Sequence, residues 1–219
     1  MNLKILEKIQ IDCSKKVIKK DIFSKVTTIG GIDVTYEKGN PAKAWACIAV
    51  MSFPSLEILC KEIVEDIVNF PYIPTFLAFR ELPIMIKVYN KTKIKPDILF
   101  IDGQGISHPR GCGIATHFGI ITEAVTIGVA KKKLLGECNS DLPEKRGSFC
   151  YLIHNKKIVG AALRTKDKIK PVFISIGHKI SLKTAIKLAL ETSIYRIPEP
   201  LRIAHNFLQK IRKANITNY

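Results

Sequence analysis

Apolar residues recur along this chain with two periods, and the switches between them mark out the elements. Near the start, Leu3, Ile5, Leu6, Ile9 and Ile18 fall near helical spacing with lysines between them. That pattern predicts a helix over 3–23, packed on one face and basic on the other. The period then shortens. Residues 26–36 (VTTIGGIDVTY) are rich in β-branched side chains, and Ile32 and Val34 flank Asp33, which on a strand must face the opposite way. A turn through Glu37, Lys38, Gly39, Asn40 and Pro41 leads to a second β run from Ala44 to Phe53. Pro54 and Ser55 lead to a third, from Leu56 to Val64. Three strands joined by short turns predict an antiparallel meander.

Beyond the meander the pattern alternates. Residues 69–74 hold Tyr72 and Ile73 between Pro71 and Pro74, which predicts an extended, stiff loop. A helix follows over 75–91, with Arg80 and Glu81 in its first half and Pro83 as a candidate kink. The apolar run at 97–101 reads as a buried strand that ends on Asp102. A glycine loop comes next, then a helix over 114–124 and a short strand from Thr126 to Ala130. The polar stretch 134–147 reads as irregular. Runs at 149–154 and 157–164 form a hairpin turning at Asn155 and Lys156. A strand over 171–176 ends near Gly177 and His178, Ser181 caps a helix reaching about residue 193, and a last helix over 200–213 ends in a basic tail. Antiparallel strands followed by α/β alternation predict an α/β fold of the ribonuclease H-like type. Its mixed central sheet has three antiparallel strands, then parallel additions, and is flanked by helices. A dinucleotide-binding sheet is disfavoured, because no G-x-G-x-x-G follows the first strand.

Composition narrows the partners. The chain has 219 residues, enough for a sizeable core in a single domain spanning 1–219. Lys and Arg number 35 against 19 acids, a net charge of +16 that favours polyanions. The six cysteines show no C-x-x-C spacing, so a zinc site is not expected, and their scatter through apolar runs fits free thiols in a reducing cytoplasm. No run of about 18 apolar residues suggests a membrane span.

Asp33 carries the most chemical information. A carboxylate inside a half-buried strand requires a cation or hydrogen-bond donors. Asp102 closes another strand, and if the two strands are neighbours their carboxylates converge. Glu81 can add a third oxygen, and His178 a nitrogen ligand or a general base; a local salt bridge and a strand-ending histidine are the structural alternatives. Hard oxygen donors select Mg²⁺, or Mn²⁺ in its place. Lys131 can neutralise phosphate, His108 can orient a phosphate or a water, and Tyr72 can stack on a base.

These pieces together resemble endonuclease V, the deaminated-base repair nuclease. The matching segments are GIDVTY (31–36), PYIP (71–74) with FRELP (79–83), DILFIDGQGISHPRGCGIATHFG (97–119), TIGVAKK (126–132), ISIGHKISL (174–182) and YRIPEP (195–200). The resemblance implies Mg²⁺-dependent cleavage of the second phosphodiester bond 3′ to deoxyinosine, leaving 3′-hydroxyl and 5′-phosphate ends. It implies Asp33, Asp102 and Glu81 as metal ligands, with Lys131 and His178 completing the catalytic set. Pro71, Tyr72, Ile73 and Pro74 would form a strand-separating wedge. Backbone groups of the loop around Gly103, Gly105, Ile106 and Gly113 would enclose the flipped base. Arg80, His108 and Arg110 complete the expected contacts to the nucleic acid. The expected partner is inosine-containing DNA, bound by a monomer. The alternatives are an inosine-specific endoribonuclease and a non-catalytic binding protein on the same scaffold. Two positions depart from the family pattern: Gly111, where a second basic residue is common, and Thr75, where glycine is common, which implies a stiffer wedge.

Overall fold

The computed structural model describes residues 2–38 and 40–216. Gly39, part of the expected first turn, and the end of the expected basic tail lie outside the described residues. The chain runs α1 (Leu3–Ser14), β1 (Thr28–Glu37), β2 (Asn40–Ser52), β3 (Ile58–Ile67), α2 (Leu77–Lys91), β4 (Ile98–Asp102), α3 (Ile114–Thr122) and β5 (Thr126–Ala130). It continues with β6 (Glu137–Cys138), β7 (Phe149–His154), β8 (Lys157–Leu163), β9 (Val172–His178), α4 (Leu182–Glu191) and α5 (Glu199–Ile216). The strands form a nine-stranded sheet in the order β3-β2-β1-β4-β5-β9-β8-β7-β6. β1, β2 and β3 are the expected antiparallel meander. β4 and β5 then add in parallel, and β9, β8, β7 and β6 complete the sheet antiparallel. This is the mixed ribonuclease H-like sheet that the element order predicts.

Alternation along the central strands divides the core between two faces. Leu99 and Ile101 of β4 pack with Ile32, α2 and α3, whereas Ile98 and Phe100 pack with Ile29, α4 and Leu201 of α5. β2 is apolar on both faces: Ala46, Ile48 and Val50 meet the α2 side, while Trp45, Cys47 and Ala49 meet Ala204 and Leu208 of α5. Asp33 shares the parity of Ile29 and Gly31, so it points toward α5. Gly31 is required there, because a Cβ would come 2.4 Å from the backbone of Pro200 and Leu201. This close approach seats the start of α5 on β1.

Several local expectations hold to the residue. Ser181 accepts from the Thr184 amide at 3.2 Å and caps α4. Asn155 and Lys156 have φ of 48° and 60°, the left-handed pair that a two-residue hairpin needs. Pro83 lies inside α2 and the helix continues through it.

Other expectations are corrected. The first helix ends at Ser14, not near residue 23. The segment after it pairs with the end of β9 instead: Lys179 donates to the Ile18 carbonyl at 2.8 Å, and Ile22 to that of Lys179 at 3.1 Å. Tertiary hydrogen bonding there outweighs a helical period carried by one isoleucine. β3 is shifted toward the C-terminus, and the polar 134–147 stretch contains β6. The cysteines are not all free thiols. Cys138 on β6 and Cys150 on the adjoining β7, with Cα atoms 5.7 Å apart, are joined as a disulfide. Among the described residues no helix is long and apolar enough to cross a membrane.

The Gly31 contact can be tested directly. Gly31→Ala forces β1 and α5 apart and should lower stability by about 1–3 kcal/mol, read as an earlier midpoint in urea unfolding. An unchanged midpoint would show that α5 is not closely seated on β1.

Candidate active site

Parallel pairing puts the two aspartates together. Ile32 on β1 is in register with Ile101 on β4, so the next position on each strand, Asp33 and Asp102, lies side by side where β4 ends and its pairing with β1 stops. Glu81 comes from the first half of α2 and feels the charge of both. Each carboxylate has its own partner. Asp33 Oδ2 lies 2.7 Å from His205 Nδ1, and Oδ1 accepts from the Val34 amide at 2.9 Å. Asp102 Oδ2 accepts from Lys131 Nζ at 2.7 Å. Glu81 Oε1 accepts from the Tyr36 hydroxyl at 3.0 Å.

The electrostatics follow from that crowding. Burial, then the nearby Asp33 and Asp102 charges, push the Glu81 carboxyl up to about 8. Burial and Asp33 also raise Asp102, against the pull of Lys131. Burial and the Glu81 charge raise the Tyr36 phenol, which stays a hydrogen-bond donor. Three hard carboxylates that disfavour one another's ionisation are a donor set suited to a divalent cation, whose charge removes the conflict. Among the described residues no three His, Cys, Asp or Glu side chains already stand at metal-holding geometry. The carboxylates are turned to Lys131, His205 and Tyr36 instead. By the chemistry of its donors, the set Asp33, Asp102 and Glu81 fits a hard divalent ion.

His178 is not part of this cluster, and His205 stands where a histidine was expected. His178 pairs with Thr126 at the start of β5, while Asp102 pairs with Val129 near its end. The antiparallel course of β9 therefore carries His178 to the opposite end of the strands from Asp102. Its Nδ1 accepts from the Ile18 amide at 3.3 Å. His205 reaches Asp33 from α5, beside the buried Ala204 and Leu208. The sequence offers one faint signal for it, a histidine adjoining the apolar stripe of the last helix.

The wedge and the glycine loop enclose a pocket of about 170 Å³ lined by residues including Tyr72, Pro74, Leu77, Gln104, His108, Gly113 and Ile114. Tyr72 is 70% exposed at its edge, with Pro71 and Pro74 also exposed and Ile73 half-buried. The polar residues expected to contact nucleic acid are committed to the scaffold. The Thr75 carbonyl accepts from Gln10 at 3.0 Å and Arg110 Nη2 at 3.0 Å, and lies 2.9 Å from His108 Nε2. Arg110 Nε also donates to Gln10 at 2.6 Å, and the guanidinium lies over Phe76. Burial pushes His108 down to about 4, so its ring is neutral. With its Nδ1 accepting from the Arg110 amide, its Nε2 is the donor. Arg80 is buried, donates to the Phe70 carbonyl and lies over the Tyr36 ring. Nor are the amides of Gly103, Gly105, Ile106 and Gly113 open to a base. Gly103 donates to Val129 at 3.0 Å, Gly105 to Ser175 Oγ at 2.8 Å, Ile106 to Ile176 at 2.8 Å and Gly113 to Gly105 at 2.9 Å. Thr75 has a φ of 69°, a left-handed conformation costing a β-branched residue about 1–2 kcal/mol. The web of donors on its carbonyl holds it there.

The displaced Glu81 titration has a consequence for stability. The unfolded chain releases the Glu81 proton near 4.5 and the folded one near 8. Between those values folding takes up a proton, so stability falls as pH rises. Glu81→Gln should flatten that decline when unfolding midpoints are measured in EDTA across this window. Parallel profiles for the two proteins would show that Glu81 ionises in its ordinary range.

Comparison with known proteins agrees with this architecture. The family model for Endonuclease V matches residues 11–206. An Endonuclease V of Dictyoglomus thermophilum is 48% identical over 204 residues, covering 93% of this chain and 88% of that relative. The catalytic domain of human Endonuclease V superposes with a TM-score of 0.90 at 33% identity, covering 97% of this chain and 96% of that one. Endonuclease V of Ciona intestinalis, solved with a 23mer DNA containing an inosine followed by a ribo-adenosine, superposes with a TM-score of 0.86 at 30% identity, covering 98% of this chain and 99% of that one. Match length, identity and fold agree: this chain belongs to the Endonuclease V family.

Proposed function

We propose that this chain is a repair endonuclease that recognises deaminated bases, deoxyinosine above all, and cleaves the second phosphodiester bond 3′ to the lesion with Mg²⁺. The observation that carries the reading is the carboxylate cluster where β4 ends beside β1, set near a base-sized pocket edged by the exposed Tyr72. A protein that only bound nucleic acid would gain nothing from three crowded acids close to phosphate. Family membership and the inosine-containing DNA bound by the Ciona relative support the same reading.

Asp33, Asp102 and Glu81 would hold the ion, which supplies charge neutralisation and a more acidic bound water. The remaining roles belong to the chain. Lys131, ion-paired to Asp102 at 2.7 Å, would shift its charge onto a non-bridging oxygen of the scissile phosphate. His205 is oriented through Nδ1 by Asp33 and keeps 39% of its side chain exposed, so Nε2 can take a proton from attacking water. Tyr72 stacks into the gap left by the extruded base and holds the strands apart. The +16 net charge draws in the polyanion. The reading includes the protein acting as a monomer.

Cleavage of an inosine-containing duplex with Mg²⁺ tests this. Asp33→Ala should reduce cutting by about a thousandfold or more, and His205→Ala by roughly 10²–10⁴, whereas His178→Asn should lose far less. Equal cutting of undamaged duplex, or activity surviving Asp33→Ala, would overturn the proposal. In gel shifts, Tyr72→Ala should weaken inosine duplex binding more than undamaged duplex binding. Equal losses would remove the wedge role.

A further inference from the structure

Among the described residues three buried side-chain polar atoms have no hydrogen-bond partner: Gln104 Oε1, His117 Nδ1 and His178 Nε2. Of the three residues, Gln104 lines the pocket between the wedge and the glycine loop. Its side chain is 8% exposed. The amide nitrogen donates to the Lys132 carbonyl at 3.1 Å, and that bond sets the orientation of the group. Turning the amide over would place one carbonyl oxygen against another. The backbone on either side is equally fixed: the Gln104 carbonyl accepts from Ala115 at 3.0 Å, and the Gly105 amide donates to Ser175 Oγ at 2.8 Å. The result is a rigid, buried acceptor, on a residue that lines the pocket, with no donor to meet it. Such a group costs free energy until a donor arrives.

Hydrolytic deamination creates that donor. Adenine presents a lone pair at N1, and cytosine presents one at N3. Replacing the exocyclic amine by a carbonyl moves a hydrogen onto that ring nitrogen, so hypoxanthine carries N1–H and uracil carries N3–H. We propose that Gln104 Oε1 accepts this ring N–H and so discriminates the deaminated base from its parent, which would set a lone pair against a lone pair. The proposal rests on the base-pocket reading above and assigns it an atom. It also supplies what the loop amides cannot, since those of Gly103, Gly105, Ile106 and Gly113 are already bonded within the protein. A site built around a substrate N–H rejects analogues lacking it far more strongly than an apolar pocket does.

The test measures duplex binding by fluorescence anisotropy in EDTA, with inosine, adenine, unsubstituted purine or 7-deazahypoxanthine at the central position. Wild-type protein should prefer inosine over adenine and over purine by about 100-fold or more. Gln104→Met, similar in length and unable to accept strongly, should weaken inosine binding about tenfold or more and collapse the inosine-to-adenine ratio. The 7-deaza penalty, which reports the other edge of the base, should be the same in both proteins. A variant that keeps the wild-type ratio would overturn the proposal, and so would wild-type protein that binds purine as tightly as inosine. The purine comparison needs no variant, so equal binding of purine and inosine overturns the proposal even if Gln104→Met does not fold. Wild-type protein with no preference for inosine over adenine would instead overturn the base-pocket reading itself.

Discussion

The parallel pairing of β1 with β4 is the constraint on which the rest of the site depends. It places Asp33 and Asp102 next to each other just past the last β1–β4 pair, where β4 ends and β1 runs on to Glu37. Two like charges in a low-dielectric setting need compensation, and neither strand contains it. It comes from elsewhere, from Lys131 beyond β5 and His205 on α5, while the Tyr36 hydroxyl of β1 itself tethers Glu81. The cluster therefore exists only when β1, β4, α2, α5 and the segment after β5 are docked together. Gly31 contributes by letting the start of α5 touch β1, which brings His205 over Asp33.

A second organisation surrounds the pocket. Gln10, His108 and Arg110 converge on the backbone of Thr75 and hold the end of the wedge in a left-handed conformation. Polar residues that look like phosphate ligands are here spent on rigidity. The amides of Gly103, Gly105, Ile106 and Gly113 are likewise bonded to β5, β9 and the loop itself. What is left for a base is a pre-shaped cavity with few open polar groups, and such a cavity selects by shape and by those few groups.

Much of this was legible in the residues. The meander, the buried strand ending at Asp102, the Asn155–Lys156 hairpin and the Ser181 cap all follow from local rules of period, turn conformation and capping. Asp33 could be singled out because a lone carboxylate in a strand needs a partner wherever the strand sits. His178 and His205 show the limit. Both adjoin apolar residues, His178 at the end of β9 and His205 within α5, and nothing local marks which of them meets the acids. β9 runs antiparallel to β5, so a residue at its C-terminal end lies far from Asp102. α5 crosses β1 on the face to which Asp33 points. The same limit explains the end of α1 at Ser14 and the Cys138–Cys150 link, both settled by which strand lies alongside.

The sequence alone determined the element types, the mixed sheet, the two aspartates and the proline-bounded wedge. Each of these is written in neighbouring residues, through burial period, backbone restriction or the cost of a charge on a strand. Tertiary structure decided which histidine joins the acids, why Arg80, Arg110 and His108 face inward, and that Gln104 carries an acceptor without a donor. Those outcomes depend on sheet order, strand direction and the approach of distant backbone. Side chains more than a hundred residues apart compete for the same donors, and only the folded packing settles that competition.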